Sequence, residues 1–336
     1  MNDTKGNGWK QTGWIAIAVL LLGIAGWEYV FAALGGSRQP VVDDADLWSE
    51  WRERATKAAP GDLILVGASR IQLGTDLGTL ERVTGQRVFQ LAIDGASFLP
   101  VLGDLAMDAR VRANVIVSVR APDLTGKGVE RGQQMIDYYR HWTAARFASP
   151  SQYTERMLKD VAYDFLPSRE QGVRPETLYA FWRDDRRISD YLTTYATRER
   201  EGDYSNFDIA ALREFRYRRS VKWFRDAAQT PADIIDRNLR YMRAAVEAIR
   251  QRGGDVIFVR FPISEELLAA SERHLPHERY LGRITPETGA TLISFEDYPS
   301  LRRFDPADGS HLDVTDQAAF TAELAKIILE TRERAR

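Results

Sequence analysis

Five short apolar runs, each bounded by turn residues, constrain the fold of this chain more than any other feature. Runs of this kind are typical of strands that are buried on both faces of a parallel sheet. Helical patterns separate them, and such alternation predicts an α/β fold with a doubly wound, five-stranded parallel sheet. The predicted strands are Asp62–Gly67, Arg87–Ile93, Asn114–Arg120, Asp255–Arg260 and Thr291–Phe295.

The strand signal largely vanishes between Ala121 and Arg252, where the chain is rich in Arg, Tyr, Asp and Glu. The predicted topology is therefore a flavodoxin-like sheet with a helical insertion at about residues 125–252. The insertion closes with a helix near Pro231–Arg252, and a last helix is predicted over Thr315–Arg332. The whole domain is predicted to span residues 61–334.

The N-terminus differs in kind from the rest of the chain. No charged residue occurs from Gln11 to Trp27, and the apolar segment from about Gly13 to Leu34 is long enough to cross a bilayer as a helix. Residues 1–36 are therefore predicted to be a transmembrane anchor, and residues 37–60 a linker with a short juxtamembrane helix. A cleavable signal peptide and a buried soluble helix are the alternatives.

The charges that flank the anchor predict its orientation. Lys5 and Lys10 precede it and Arg38 follows it, which favours a cytoplasmic N-terminus. The expected location is the inner membrane, with one span and a periplasmic domain. The absence of cysteine excludes disulfides and thiolate nucleophiles, and a net charge of -2 gives no indication of a nucleic-acid partner.

Ser69 and His311 are the residues most suggestive of chemistry. Ser69 follows the first predicted strand at the carboxyl edge of the sheet, where such folds bind ligands. His311 stands three residues after Asp308, a spacing at which Asp308 can orient the imidazole as a base for Ser69. Alternatively, Ser69 caps a helix and Asp308 shapes a turn.

These residues also carry a resemblance to a family. Val66-Gly67-Ala68-Ser69-Arg70 resembles the first motif of the SGNH (GDSL-like) hydrolases, and Asp308-Gly309-Ser310-His311 resembles their last. The Gly-x-Ser-Arg form after one N-terminal helix is similar to membrane-tethered members associated with polysaccharide O-acetylation. The resemblance covers residues 61–125 and 253–334.

The resemblance implies a role for each matching residue. Ser69 is the nucleophile, Asp308 the orienting acid and His311 the base, while the backbone N–H groups of Ser69 and Gly95 form an oxyanion hole. Gly95 is otherwise a tight-turn glycine. The chain departs from the family pattern at Ala68, where many members have Asp, and after the third strand, where the usual Asn is missing. Arg70 and Arg120 are candidates to replace that Asn.

Three arginines near the predicted strand ends are candidates for substrate binding: Arg70, Arg120 and Arg260. A guanidinium suits a carboxylate such as that of an acidic sugar. The alternative for Arg120 and Arg260 is a structural ion pair with Asp94 or Asp123. The basic, aromatic stretch Arg213–Arg225 is interpreted as a solvated helix with an apolar face rather than a glycan grip, and His274 and His277 as loop residues rather than metal ligands.

The sequence thus predicts serine-dependent acyl transfer to or from a cell-surface or exported polysaccharide, with no cofactor and no metal. A membrane-bound O-acyltransferase is the acyl-donor partner that the resemblance implies. The alternative is a catalytically degenerate domain that binds glycan or scaffolds a membrane complex, and a phospholipid esterase is a third reading.

Overall fold

A computed structural model describes residues 8–33, 43–146, Thr154 and 191–335 of the 336-residue chain. The chain divides into two compact units, one of residues 1–42 and 149–190 and one of residues 43–148 and 191–336. Within the first, helix α1 spans Gly8–Ala33. Its segment Trp9–Tyr29 is long and apolar enough to cross a membrane, by length and composition, and that window is not buried inside the protein.

The second unit contains a five-stranded, all-parallel sheet, as the sequence predicted. Its strands run in the order β2-β1-β3-β6-β7. They are β1 (Leu63–Val66), β2 (Val88–Gln90), β3 (Asn114–Ser118), β6 (Val256–Arg260) and β7 (Thr291–Ser294). Every residue of β1, β2, β3 and β6 is buried, so both faces of the sheet are covered.

Helices connect the strands and pack beside the sheet. They are α3 (Ser69–Gly74), α4 (Leu77–Thr84), α5 (Leu99–Met107), α6 (Val129–Arg146), α7 (Ile209–Ala228), α8 (Ala232–Arg250), α9 (Glu265–His274), α10 (Ile284–Thr288), α11 (Pro299–Arg302) and α12 (Val314–Ala335). Helix α8 packs on α5, and α12 packs on α4. The capping side chain of Asp76 begins α4, and left-handed Gly85 ends it.

Residues 43–60 contain a short helix, as the sequence indicated, and this segment packs into the second unit. Helix α2 (Ala45–Ala55) buries Trp48, Arg52 and Ala55, which lie along one face. The indole of Trp48 donates to Leu91 O at 3.0 Å, and the Arg52 guanidinium contacts Asp104 at 2.6 Å. The remainder of the predicted linker, residues 37–42, lies outside the described residues.

The region predicted as a helical insertion is described for residues 125–146 and 191–252. It contains α6, α7 and α8, together with an antiparallel pair that the sequence did not predict, β4 (Leu192–Thr194) and β5 (Arg200–Gly202). Helix α8 belongs to the core, because its face of Leu239, Met242 and Val246 is buried against α5. The part from residue 147 to 190, apart from Thr154, lies outside the described residues.

Candidate active site

Ser69 lies where the strand order reverses, between the neighbours β2 and β3 of β1. Gly67 makes the turn that leads to it, with φ of +149°. A Cβ atom on Gly67 would lie 2.7 Å from the Cβ of Ser118 on β3, so this position has no room for a side chain. The turn places Ser69 as the first residue of α3, at the carboxyl edge of the sheet.

The structure brings Ser69, His311 and Asp308 into one hydrogen-bonded line. His311 Nε2 lies 2.8 Å from Ser69 Oγ, although the two residues are 242 positions apart in sequence. On the other side of the ring, His311 Nδ1 lies 2.9 Å from Asp308 Oδ2. Since a carboxylate only accepts, Nδ1 carries the proton and Nε2 is left to accept the proton of the serine hydroxyl.

The loop before α12 fixes the geometry of the acid and the base. Asp308 Oδ1 accepts the backbone N–H groups of Ser310 and His311, each at 2.8 Å, and Gly309 turns the chain with φ of +84°. Asp308 is completely buried and His311 is 6% exposed. These contacts hold the carboxylate and the imidazole in a fixed relation before any substrate binds.

Arg216 of α7 is a fourth member of this group, and sequence reasoning did not identify it. Its Nε donates to Asp308 Oδ2 at 2.8 Å. Burial opposes ionisation of Asp308, but the charge and hydrogen bond of His311 and the charge of Arg216 hold its pKa well below the usual range. Asp308 therefore remains a carboxylate throughout the neutral pH range.

Arg213, one turn earlier on α7, holds the same loop. Its guanidinium contacts Asp305 Oδ2 at 2.6 Å and donates to the carbonyl oxygens of Pro306 and Ala307, both at 3.0 Å. The stretch Arg213–Arg225 thus includes residues that support the site, and is not only a solvated helix. The one signal in the sequence is that Arg213 and Arg216, three residues apart, lie on one helix face.

The loop after β2 lies beside the loop after β1, because Ile93 N–H donates to Gly67 O at 3.0 Å. Gly95 in that loop is left-handed, with φ of +68°. Neither the Ser69 N–H nor the Gly95 N–H has a hydrogen-bond acceptor among the described residues. Two backbone donors are thus free near Ser69, as an oxyanion hole requires.

The three arginines singled out in the sequence have different surroundings. Arg120 forms a two-point contact with Asp123, at 2.6 and 3.1 Å, and lies over the ring of Trp223. Arg260 is 3% exposed and paired with both Glu272 and Glu296. These pairs occupy both guanidinium groups, which argues against a direct role in substrate binding. The ion pair of Arg120 with Asp123 was the anticipated alternative, whereas the partners of Arg260 were not anticipated.

Arg70, in contrast, forms no hydrogen bond or ion pair with any residue that the structure describes. It is partly buried directly after Ser69. Burial and the neighbouring charge of Arg120 lower the pKa of Arg70 to about 9, so the guanidinium is still charged at neutral pH. Of the three candidates, Arg70 is the one that is free to contact a ligand.

The two remaining histidine candidates lie apart from this group. His274 ends α9, and His277 begins a short 3-10 helix in which its N–H donates to Glu272. In the described parts of the chain, no group of three or more His, Asp or Glu side chains is arranged to hold a metal ion.

Comparison with known proteins does not assign the chain to a family. No protein-family model matches it, and a search of curated proteins returns no match. The class of protein must therefore be argued from the fold and from the geometry of Ser69, His311 and Asp308.

Proposed function

We propose that this protein is an SGNH-type serine O-acetyltransferase or acetylesterase that acts on a cell-surface or exported polysaccharide. The observation that carries the proposal is the line from Ser69 Oγ through His311 to Asp308, with distances of 2.8 and 2.9 Å. A serine hydroxyl is a weak nucleophile unless a base takes its proton, and this arrangement supplies the base and its orienting carboxylate.

The reaction proceeds in two steps. Ser69 Oγ attacks the ester carbonyl while His311 Nε2 takes the hydroxyl proton, and the tetrahedral oxyanion is stabilised by the N–H groups of Ser69 and Gly95. His311 then gives the proton to the departing alcohol, which leaves an acetyl ester on Ser69. In the second step a sugar hydroxyl or water attacks this ester while His311 takes its proton. The bond between the acetyl group and Ser69 Oγ then breaks, and His311 returns the proton to Ser69 Oγ.

Two further features agree with this proposal. The strand order β2-β1-β3-β6-β7 is compatible with a flavodoxin-like, doubly wound sheet, and in such sheets ligands bind at the order reversal, where Ser69 lies. Helix α1 suits a single membrane anchor with its N-terminus in the cytoplasm and the second unit in the periplasm. In that setting a membrane-bound O-acyltransferase would be the source of the acyl group.

The test uses the full chain in detergent with p-nitrophenyl acetate. We expect rapid release of p-nitrophenol and an acetyl group on Ser69, identified by mass spectrometry of the quenched protein. Ser69→Ala and His311→Ala should abolish both, while the exposed controls Ser205→Ala and His141→Ala should not. Equal release by all variants, with no adduct on Ser69, would favour the degenerate glycan-binding or scaffold protein instead.

A further inference from the structure

Arg70 directly follows Ser69 and has no carboxylate partner among the described residues. Of Arg70, Arg120, Arg216 and Arg260, all but Arg70 have carboxylate partners among the described residues. A partly buried charge without a partner has an energetic cost in the folded protein. A folded protein that retains such a charge next to a nucleophile is set up for a ligand that supplies the opposite charge.

The neighbours of Arg70 increase this cost. Its charge interacts unfavourably with Arg120 at the end of β3 and with Arg260 at the end of β6, and favourably with Asp123 and Asp308. The nearby carboxylates are already engaged, Asp123 by Arg120 and Asp308 by His311 and Arg216. An incoming anion would thus meet an arginine that no carboxylate in the described chain neutralises.

Helix α7 contacts both the loop before α12 and Arg120, which follows β3. Arg216 of this helix contacts Asp308, and Trp223, seven residues later, lies 4.7 Å from the Arg120 guanidinium carbon. Seven residues make two helical turns and about 10 Å of length, so both side chains lie on the same face. That face joins the His311 loop to the end of β3, and Arg70 interacts electrostatically with residues at both ends.

We infer that Arg70 binds a carboxylate group of the substrate beside Ser69, so that the substrate of the proposed acyl transfer is acidic. A planar carboxylate can accept two parallel N–H bonds from a guanidinium. Arg120 and Arg260 are already paired, so of these three arginines only Arg70, next to Ser69, is open to such a carboxylate in the described chain. The inference names the substrate class for the function proposed above.

Binding is measured in the Ser69→Ala full chain, which cannot turn substrate over. Calorimetry compares two pairs of ligands. Trigalacturonate and its methyl ester test for a carboxylate on the glycan, and monomethyl succinate and dimethyl succinate test for a carboxylate on the acyl group. We expect the acid of at least one pair to bind about tenfold or more tightly than its neutral ester, equivalent to 1.4 kcal/mol or more. Adding Arg70→Met should remove the preference, Arg70→Lys should keep part of it, and the exposed control Arg112→Met should keep all of it.

Each result decides the inference. A preference that depends on Arg70 supports it, and the pair that shows the preference identifies whether glycan or acyl group carries the acid. No preference in either pair, or a preference that survives Arg70→Met, overturns it.

The binding test also separates this inference from the proposed function. A protein that binds the carboxylate through Arg70 but is not acylated at Ser69 would refute the acyl transfer and leave the anion site standing. Acylation of Ser69 without any carboxylate preference would do the reverse.

Discussion

Arg216 donates its Nε–H to the same oxygen of Asp308 that faces the imidazole of His311. The two contacts, at 2.8 and 2.9 Å, join α7 to the loop before α12. Arg216 therefore shares the carboxylate with the base: it stabilises the charge of Asp308 and at the same time opposes a positive charge on His311. In the proposed acyl transfer Arg216 is a positioning residue, because it acts through Asp308.

Replacing Arg216 should change the pH dependence of the reaction. Arg216→Met removes a positive charge near His311 and leaves Asp308 to interact with the imidazole alone, so protonated His311 becomes more stable. We expect the acid limb of the kcat/KM profile for p-nitrophenyl acetate to move to higher pH by about one unit. Arg218→Met, on the exposed side of the same helix, should leave the limb in place. An unmoved limb in Arg216→Met would show that Arg216 only holds the loop.

Gly67 should contribute to the stability of the fold. In Gly67→Ala the new Cβ would lie 2.7 Å from Ser118 Cβ and 3.1 Å from Ser118 O, at a φ that side chains rarely adopt. We expect a loss of about 2–4 kcal/mol in the free energy of unfolding, measured by urea denaturation. Gly85→Ala is the matched control, because Gly85 has φ of +68° but open space around it, and should cost only about 1 kcal/mol. Similar losses in both variants would mean that the contact with Ser118 relaxes without cost.

Arg70 and Arg260 should have opposite effects on stability. Arg70→Met removes a cation without a partner and should raise the melting temperature by about 2 °C or more. Arg260→Met removes the ion-pair partner of Glu272 and Glu296 and should lower the free energy of unfolding. The expected loss is only about 1–2 kcal/mol, because both glutamates are partly exposed to solvent. Differential scanning calorimetry at neutral pH measures both. A destabilised Arg70→Met would contradict the absence of a partner for Arg70.

Glu199 should make the stability depend on pH. Burial and the nearby Asp76 raise the pKa of Glu199 from 4.5 to about 7, despite the hydrogen bond from Leu77 N–H. The folded protein holds this proton more tightly than the unfolded chain, so the contribution is greatest below pH 4.5 and declines up to about pH 7. Glu199→Gln keeps an acceptor for Leu77 but cannot titrate.

Urea denaturation between pH 5 and 8 measures this effect. The difference in free energy of unfolding between Glu199→Gln and the unaltered protein should grow in favour of the variant as the pH rises, and then level off above about pH 7. The control is Glu214→Gln, which changes an exposed glutamate and should show no such trend. A constant difference for Glu199→Gln would contradict the raised pKa of Glu199.

The sequence alone was sufficient for the five parallel strands and for the apolar N-terminal helix. Strand identity depends on local apolar runs, and a parallel sheet brings the carboxyl ends of its strands to one edge whatever the connections contain. A serine after β1 and a histidine in the loop before the last helix can therefore be expected to meet.

The tertiary structure decided which charged groups are free and which are paired. In the sequence, Arg120 and Arg260 cannot be distinguished from Arg70 as binding candidates. In the structure, Arg120 pairs with Asp123, and Arg260 pairs with Glu272 and Glu296. Arg70 alone of the three has no partner in the described chain. An ion pair depends on distances of a few ångströms between residues whose separation along the chain has no fixed limit. The contact of Arg216 with Asp308, 92 positions apart, arises only once α7 has packed beside the last loop. Local patterns determine the elements and the parallel character of the sheet, whereas the partner of a charge is determined by packing.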